Sequence, residues 1–275
     1  MQLGKLYPNM NRLNTLKNYI KKILSGGVDK NGDFSYLRAL PRYHPVEIAL
    51  FSHKFKLPDS ASFLFQYNEI FNSQIYKFEA KNSKPYIVDC GANIGLSIIY
   101  FKRLYPNAKI IGFEPDKQVY DLLSYNVNSF KLKGITLINK GLWNQKKTVR
   151  FYAEGSDGGR IAVKGDKKNI VEIKTTSLRT YINKPVDFLK IDIEGAETRV
   201  IENCEDLLYR VDKIFIEYHS FLKETQSLDK ILKILTKSSF RYYISSIGVK
   251  RQYPFIGKDL WTGMDNQLNI FAIRK

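Results

Sequence analysis

Cysteine is nearly absent: Cys90 and Cys204 are the only two in 275 residues, and no CxxC pair occurs. That excludes a disulfide-stapled secreted fold and a zinc ribbon, both of which need clustered thiols. Long apolar runs are missing as well, and none approaches the roughly 18 residues that a membrane-spanning helix requires. The opening segment, MQLGKLYPNMNRLNTLKNYIKKIL, has no continuous apolar stretch of the kind a secretion signal carries. A cytoplasmic location is therefore expected. Repeats and low-complexity segments are lacking too. Hydrophobic residues make up 44% and aromatics 13% of the chain, enough to bury a core, so disordered and collagen-like classes are excluded. The length fits one large domain, or one domain with an N-terminal extension.

Negative charge is in deficit. Lys and Arg number 44 against 27 Asp and Glu, a formal charge of +17. The excess is spread along the chain, +7 over residues 1–85 and +10 over the rest, so it is no basic tail. Such a field speeds encounter with any anionic partner, whether nucleic acid, nucleotide-linked sugar or membrane phosphate. Solvated surface lysines produce the same count, and charge alone decides nothing.

Residues 1–80 are expected to form a mostly helical cap. Leu13, Leu16, Ile20, Ile23 and Leu24 recur at helical spacing with Lys17, Lys21 and Lys22 between them. Such a basic amphipathic helix either lies on an anionic membrane surface or docks on its own protein. Ala61–Tyr76 also reads as helical. From residue 81 onward, apolar strand-like runs alternate with helical ones: strands at 86–90, 109–113, 135–139, 188–191, 213–218, 242–246 and 269–274. That alternation predicts βαβ units and a largely parallel sheet in an α/β domain spanning 81–275. Asp116 stands where it would cap the helix after the second strand. Two shorter strands, 148–153 and 171–174, flank a glycine-rich loop, GSDGGR, at Gly155–Arg160.

Four segments carry candidate chemistry. Asp89-Cys90-Gly91-Ala92-Asn93-Ile94-Gly95 follows the first strand of the sheet. Glycine there allows close backbone approach, Gly91 toward a ligand and Gly95 between helix and strand. Asp89 either accepts a hydrogen bond from a ligand ammonium or holds the turn. Asn93 stands where dinucleotide-binding turns place a second glycine, so the GxGxxG fingerprint is not met, although asparagine tolerates the left-handed region. Glu114, about twenty residues on at the end of the second strand, suits a carboxylate that accepts from both ribose hydroxyls of a nucleoside. Asp192, Glu194 and Glu197 crowd the end of the fourth strand, where they could raise a pKa for general-base work or hold a divalent cation. Glu217-Tyr218-His219 ends the fifth, and a histidine beside a carboxylate is a candidate proton acceptor.

Together these segments resemble the FkbM family of S-adenosylmethionine-dependent methyltransferases, over roughly Phe63 to the C-terminus. The resemblance rests on VDCGANIGLS (88–97), GFEPD (112–116), FLKIDIEGAE (188–197) and IEYH (216–219), with YNEIFNSQIYKF (67–78) as a lead-in. It implies a class I methyltransferase, Rossmann-like sheet of seven strands, mostly parallel with the last antiparallel. It implies S-adenosylmethionine held by Asp89, Gly91, Ala92, Asn93, Gly95 and Glu114, with adenine at Gly141-Leu142. It implies O-methylation, commonly of a sugar hydroxyl in a polysaccharide, glycoconjugate or natural product. Asp192, His219 and Glu217 become the catalytic candidates, without a metal. Glu194 and Arg160 become acceptor contacts, Arg160 suiting a phosphate or carboxylate.

Two rivals follow from the same residues. A nucleic-acid methyltransferase would use the basic charge, but no NPPY-type motif, Pro-Cys nucleophile or aromatic-interleaved basic patch occurs, and no nucleic-acid partner is expected. A non-catalytic protein with a relict fold, anchored by the 12–24 helix, is the other.

Overall fold

The computed structural model describes residues 34–163, 166–222, 224–247, 255 and 263–275. The amphipathic stretch at 12–24 lies outside the described residues.

The described part of the cap opens with a 3₁₀ turn at Ser35–Ala39, then a hairpin of β1 (Val46–Leu50) and β2 (His53–Leu57). This hairpin departs from the helical expectation, and its cause is local. VEIAL and HKFKL alternate, burying Ile48, Leu50, Phe55 and Leu57 on one face, and period-two burial requires strands. Phe51 and Ser52 both take positive φ, as a two-residue hairpin turn demands. Helix α1 (Ser60–Tyr67) follows, capped by Asp59, which accepts from the Ser62 amide at 2.8 Å. It runs into a single π-helical turn at Asn68–Asn72, so the predicted helix ends sooner than Tyr76.

Beyond the cap come β3 (Tyr86–Cys90), α2 (Leu96–Leu104), β4 (Lys109–Phe113), α3 (Lys117–Ser129) and β5 (Ile135–Ile138). Asp116 caps α3 as expected, accepting from Gln118 N at 2.8 Å. A small second sheet follows, from β6 (Gly141–Trp143), β7 (Thr148–Tyr152), β8 (Arg160–Ile161) and β9 (Ile170–Ser177), in the order β6-β9-β7-β8. Then come β10 (Val186–Ile191), α4 (Glu197–Asn203), β11 (Val211–Phe221), α5 (Leu228–Lys237), β12 (Phe240–Ser246) and β13 (Met264–Arg274).

The main sheet has seven strands in the order β12-β13-β11-β10-β3-β4-β5. All neighbours are parallel except β13, which runs antiparallel to both β11 and β12. This is the Rossmann-like class I arrangement that the resemblance implies. The chain winds outward from β3 through β4 to β5, then returns to β10 on β3's other side. The order reverses between β3 and β10, and open α/β sheets bind ligands at the carboxyl ends of the strands at such a switch point.

One apolar cluster covers each face of the sheet. Residues 34–80 share theirs with α2, α3 and the sheet: Phe34 and Phe63 stack edge to face at 5.3 Å, while Tyr76 and Phe78 join Phe101 and Phe188. The described cap is thus built into the main core. Asn126 of α3, fully buried, fastens the hairpin to it: its side chain accepts from Lys56 N at 2.7 Å and donates to the carbonyls of Lys56 and Ile94 at 2.9 Å each. An apolar replacement leaves those backbone groups buried and unpaired. Asn126→Leu is expected to cost about 3 kcal/mol, read as a lower urea midpoint at unchanged slope. A midpoint within error of wild type would contradict this fastening role.

Candidate functional site

The turn after β3 is built on backbone contacts. The amides of Gly91 and Ala92 both donate to Phe113 O, at 3.1 and 2.8 Å, tying the turn to β4. Asn93 adopts φ +47°, and its side chain accepts from Ile94 N at 2.6 Å. Gly91 sits at φ +88°, where a Cβ would lie 1.8 Å from the carbonyl oxygen of Asp192. The neighbouring strand end, β10, by itself demands glycine here, and Gly91 also lines the cavity where a ligand would approach it. A Cβ on Gly95 would meet Leu123 of α3 at 2.9 Å, so this glycine admits the next helix and not its own strand.

Glu114, at the end of β4, accepts from Asn93 N at 3.1 Å and Asp116 N at 3.0 Å, one bond to each oxygen. Burial pushes its carboxyl up to about 8. A carboxylate offers about four lone-pair sites, so acceptor capacity is left on the side that faces the cavity.

At β10 the chain supplies a lysine that motif reading passes over. Lys190 is paired in register with Asp89, and its buried ammonium donates to Gly91 O at 2.8 Å. It also forms ion pairs with Asp192 at 3.1 Å and Asp89 at 3.4 Å. Burial opposes its charge, but Asp192, Tyr76 and Asp89 outweigh that and hold its pKa well above the usual lysine value. Asp89 is fully buried and accepts from Ser97 Oγ at 2.5 Å. Of its two expected roles, holding the turn is the one the geometry shows.

His219 lies among three glutamates. Its Nδ1 is 3.0 Å from Glu197, and its Nε2 is 3.5 Å from Glu194 and 3.4 Å from Glu217. Its side chain is 0% exposed. Burial works against protonation, but Glu194 and Glu197 outweigh it, so the imidazole pKa stands well above its ordinary value. Glu194 and Glu197 thus favour the charged imidazolium, which has no free lone pair, so the geometry supports a counter-charge role for His219 among the three glutamates more than the expected role of proton acceptor. Glu197, missed as a partner, also accepts from Ile193 N and Gly195 N at 3.2 and 3.0 Å. Glu217 accepts from Gln267 at 2.6 Å, and His219 holds its carboxyl below the usual value against burial. Burial pushes Glu194 up to about 8.

These strand ends open into a cavity of about 820 Å³. Of the predicted site residues, Gly91, Ala92, Asn93, Glu114, Gly141, Leu142, Arg160, Asp192, Glu194 and Glu217 line it. Asp89, Gly95 and His219 stand behind the wall. Gly141 and Leu142 open strand β6 and, with Phe113 and Ile173, form an apolar slot beside Glu114. The GSDGGR loop overhangs the cavity, and Ser156 O accepts from the Asn93 side chain at 3.1 Å. Arg160 differs from expectation. Its guanidinium is held by both oxygens of Asp166, at 2.7 and 3.1 Å, so it does not present a free fork to an anionic acceptor. The cap closes the far side with Arg42, paired to Asp59 at 2.7 Å, and with Glu69.

An apolar slot beside a ribose-ready carboxylate, continuing into a carboxylate-rich end, fits a nucleoside with a cationic tail. Asp192, Glu194 and His219 also bring one ligand atom each within 4.8 Å of one another, the spacing a divalent cation could use if His219 were neutral.

The FkbM methyltransferase domain matches residues 89–242, which holds all four motifs and most of the cavity wall. The chain belongs to the FkbM methyltransferase family. Methyltransferase sdnD of Sordaria araneosa is 34% identical over 178 residues, covering 52% of this chain and 69% of the relative. Methyltransferase 1 of Beauveria bassiana is 26% identical over 180 residues, covering 56% and 72%. The solved FkbM methyltransferase of Methylobacillus flagellatus aligns over 73% of this chain at 18% identity and a TM-score of 0.48. This chain spans 46% of that protein.

Proposed function

We propose that this FkbM-family protein transfers a methyl group from S-adenosylmethionine to a hydroxyl of a neutral acceptor, such as a sugar in a polysaccharide, glycoconjugate or natural product. One observation carries the reading: Glu114 and the Asn93 turn stand at the switch point with the apolar slot on one side and the sheet-end carboxylates on the other. The slot takes adenine between Leu142 and Phe113, and Glu114 accepts from the ribose hydroxyls. The carboxylates of Asp192, Glu194 and Glu217 stabilise positive charge on the amino-acid end. S-adenosylmethionine supplies a methyl group on a positively charged sulfur, ready for in-line displacement. The protein's task is then to position the acceptor oxygen in a site shielded from water.

Pairing favours a neutral acceptor: around the carboxylate-rich end Arg42, Arg160 and Lys190 meet carboxylates already, while Lys140 lines the cavity next to Gly141 and the apolar slot. Repulsion from those carboxylates disfavours a nucleic-acid acceptor in spite of the net charge. A metal-independent reaction is the reading because His219 and Lys190 already supply the cations of the cluster.

Calorimetry with S-adenosylmethionine tests the cofactor. Glu114→Ala is expected to weaken binding about 10- to 100-fold, the worth of two hydrogen bonds lost from a buried site. Absence of binding to wild type removes the reading and favours a relict fold. Methyl transfer to sugar nucleotides and glycan fragments, followed by mass spectrometry with EDTA present, tests the acceptor and the metal. Product on RNA alone, or full inhibition by the chelator, overturns those parts.

A further inference from the structure

The π-helical turn Asn68–Asn72 carries Glu69 into the cavity wall, facing the strand ends from the cap. Single π turns interrupt helices chiefly where an extra residue re-aims a side chain, and they concentrate at functional sites. This one is firmly set: Ser73 N donates to Asn68 O at 2.8 Å and Ile75 N to Glu69 O at 3.2 Å. Ile70 is buried, and Phe71 stacks on Tyr67 at 5.0 Å and meets Tyr100 edge-on at 5.6 Å.

Glu69 differs from the other carboxylates of the cavity in its engagement. Asp192 is held by Lys190, Glu194 faces His219, Glu217 accepts from Gln267, and Glu114 accepts two backbone amides. The Glu69 carboxylate has no hydrogen bond or ion pair with any described residue. A carboxylate already engaged by amides or a cation must give up those bonds to receive a substrate proton; Glu69, which lines the cavity half-buried, has its oxygens open to an acceptor hydroxyl.

Resting on the reading of the chain as an O-methyltransferase, we propose that Glu69 is the catalytic base, accepting the proton of the acceptor hydroxyl from the cap side. The hydroxyl oxygen forms the new bond to the methyl carbon, sulfur keeps the electron pair of the broken S–C bond, and the proton passes to Glu69 and on to solvent. Asp192 and Glu217 then serve as positioning residues across the cavity. Their charges, together with burial, which is the larger cause, push Glu69 up to about 7. A base is most effective when its pKa lies near the working pH.

The test begins without an acceptor. In the full chain with ¹³C-labelled glutamate carboxyls, one resonance missing from Glu69→Gln should titrate near 7 in the free protein. S-adenosylmethionine should lower that midpoint by about one unit or more, and S-adenosylhomocysteine should not, because only the former has a cationic sulfur. A midpoint in the ordinary glutamate range, or equal shifts with both ligands, overturns the proposal. With a hydroxyl acceptor, Glu69→Gln should lower kcat on the order of 100-fold or more and abolish the limb of the kcat–pH profile near neutrality. Its calorimetric affinity for S-adenosylmethionine at pH 6, where Glu69 is mostly protonated in the free protein, should stay within about threefold of wild type, since an amide then replaces a largely neutral carboxyl. Turnover and pH profile like wild type overturn the assignment. Failure of wild type to bind S-adenosylmethionine instead removes the cofactor reading, and the free-protein titration still decides whether Glu69 is a base poised near neutral pH.

Discussion

Replacing His219 with leucine is expected to destabilise the protein by about 3–5 kcal/mol at neutral pH, the usual cost of removing one partner from a buried charge cluster. The ring lies between Glu194, Glu197 and Glu217, and its side chain is 0% exposed. Leucine fills much of the volume, so the loss reports charge more than packing. For a chain of this size the melting temperature should fall by roughly 10 °C or more.

The pH dependence follows from the signs. His219 has a folded pKa raised above its unfolded value, so its contribution is fully present below about 6.5 and lost as pH rises through the folded pKa. Glu114 and Glu194 are both raised to about 8, so their neutral forms favour the folded state and their ionisation opposes it. All three act in one direction. Ligand-free wild type should be more stable at pH 6 than at pH 8.5, by differential scanning calorimetry. In His219→Leu the carboxylates lose their counter-charge, and the decline between pH 5 and 8 should steepen. A variant with the wild-type melting temperature and slope would show that the ring is neutral and the cluster is held some other way.

Gly91→Ala is the second change expected to have a large effect. Its Cβ would fall 1.8 Å from Asp192 O and 3.0 Å from Asp192 C, at φ +88°. The obstacle is backbone at the end of β10, so no side-chain rotation relieves it. The two central strands of the sheet must part where Asp192 N donates to Cys90 O at 3.0 Å and Lys190 to Gly91 O at 2.8 Å. Overpacking and a left-handed alanine together cost about 3–5 kcal/mol. Binding of S-adenosylmethionine should be lost even at temperatures where the variant stays folded, because the turn carrying Asn93 moves with it. Gly155→Ala is the control: it has the same φ, and a Cβ there meets nothing within 4 Å. If both variants melt together, the close approach of β3 and β10 is not what demands the glycine.

Much of this protein is legible from residue order alone. The seven strands of the main sheet are visible as short apolar or aromatic runs between helical periods, because each is a local signal of period and propensity. The Asp116 cap, the αL tolerance of Asn93 and the position of Glu114 are equally local, each depending on residues a few positions away. The hairpin at 46–57 escaped because VEIAL and HKFKL are short, and their turn uses Phe51 and Ser52 in place of the usual Asn-Gly pair.

What the tertiary structure decided are the states of groups whose partners come from afar. The motif IEYH identifies a histidine beside a carboxylate, but its protonation depends on Glu194 and Glu197, delivered by the β10–α4 turn. Arg160 reads as a free cation until Asp166 is found across its fork. Gly91 belongs to a ligand-binding turn by sequence, while its necessity comes from a carbonyl 101 positions away at Asp192. Glu69 lies in a helical run of the cap with no motif around it, and only packing across the sheet's edge sets it opposite Asp192 and Glu217. Residue order determined the fold and the class of chemistry because periodicity and turn propensities act over a few residues. Charge state and catalytic role depend on distances between segments far apart in the chain, and those distances exist only after the chain has folded.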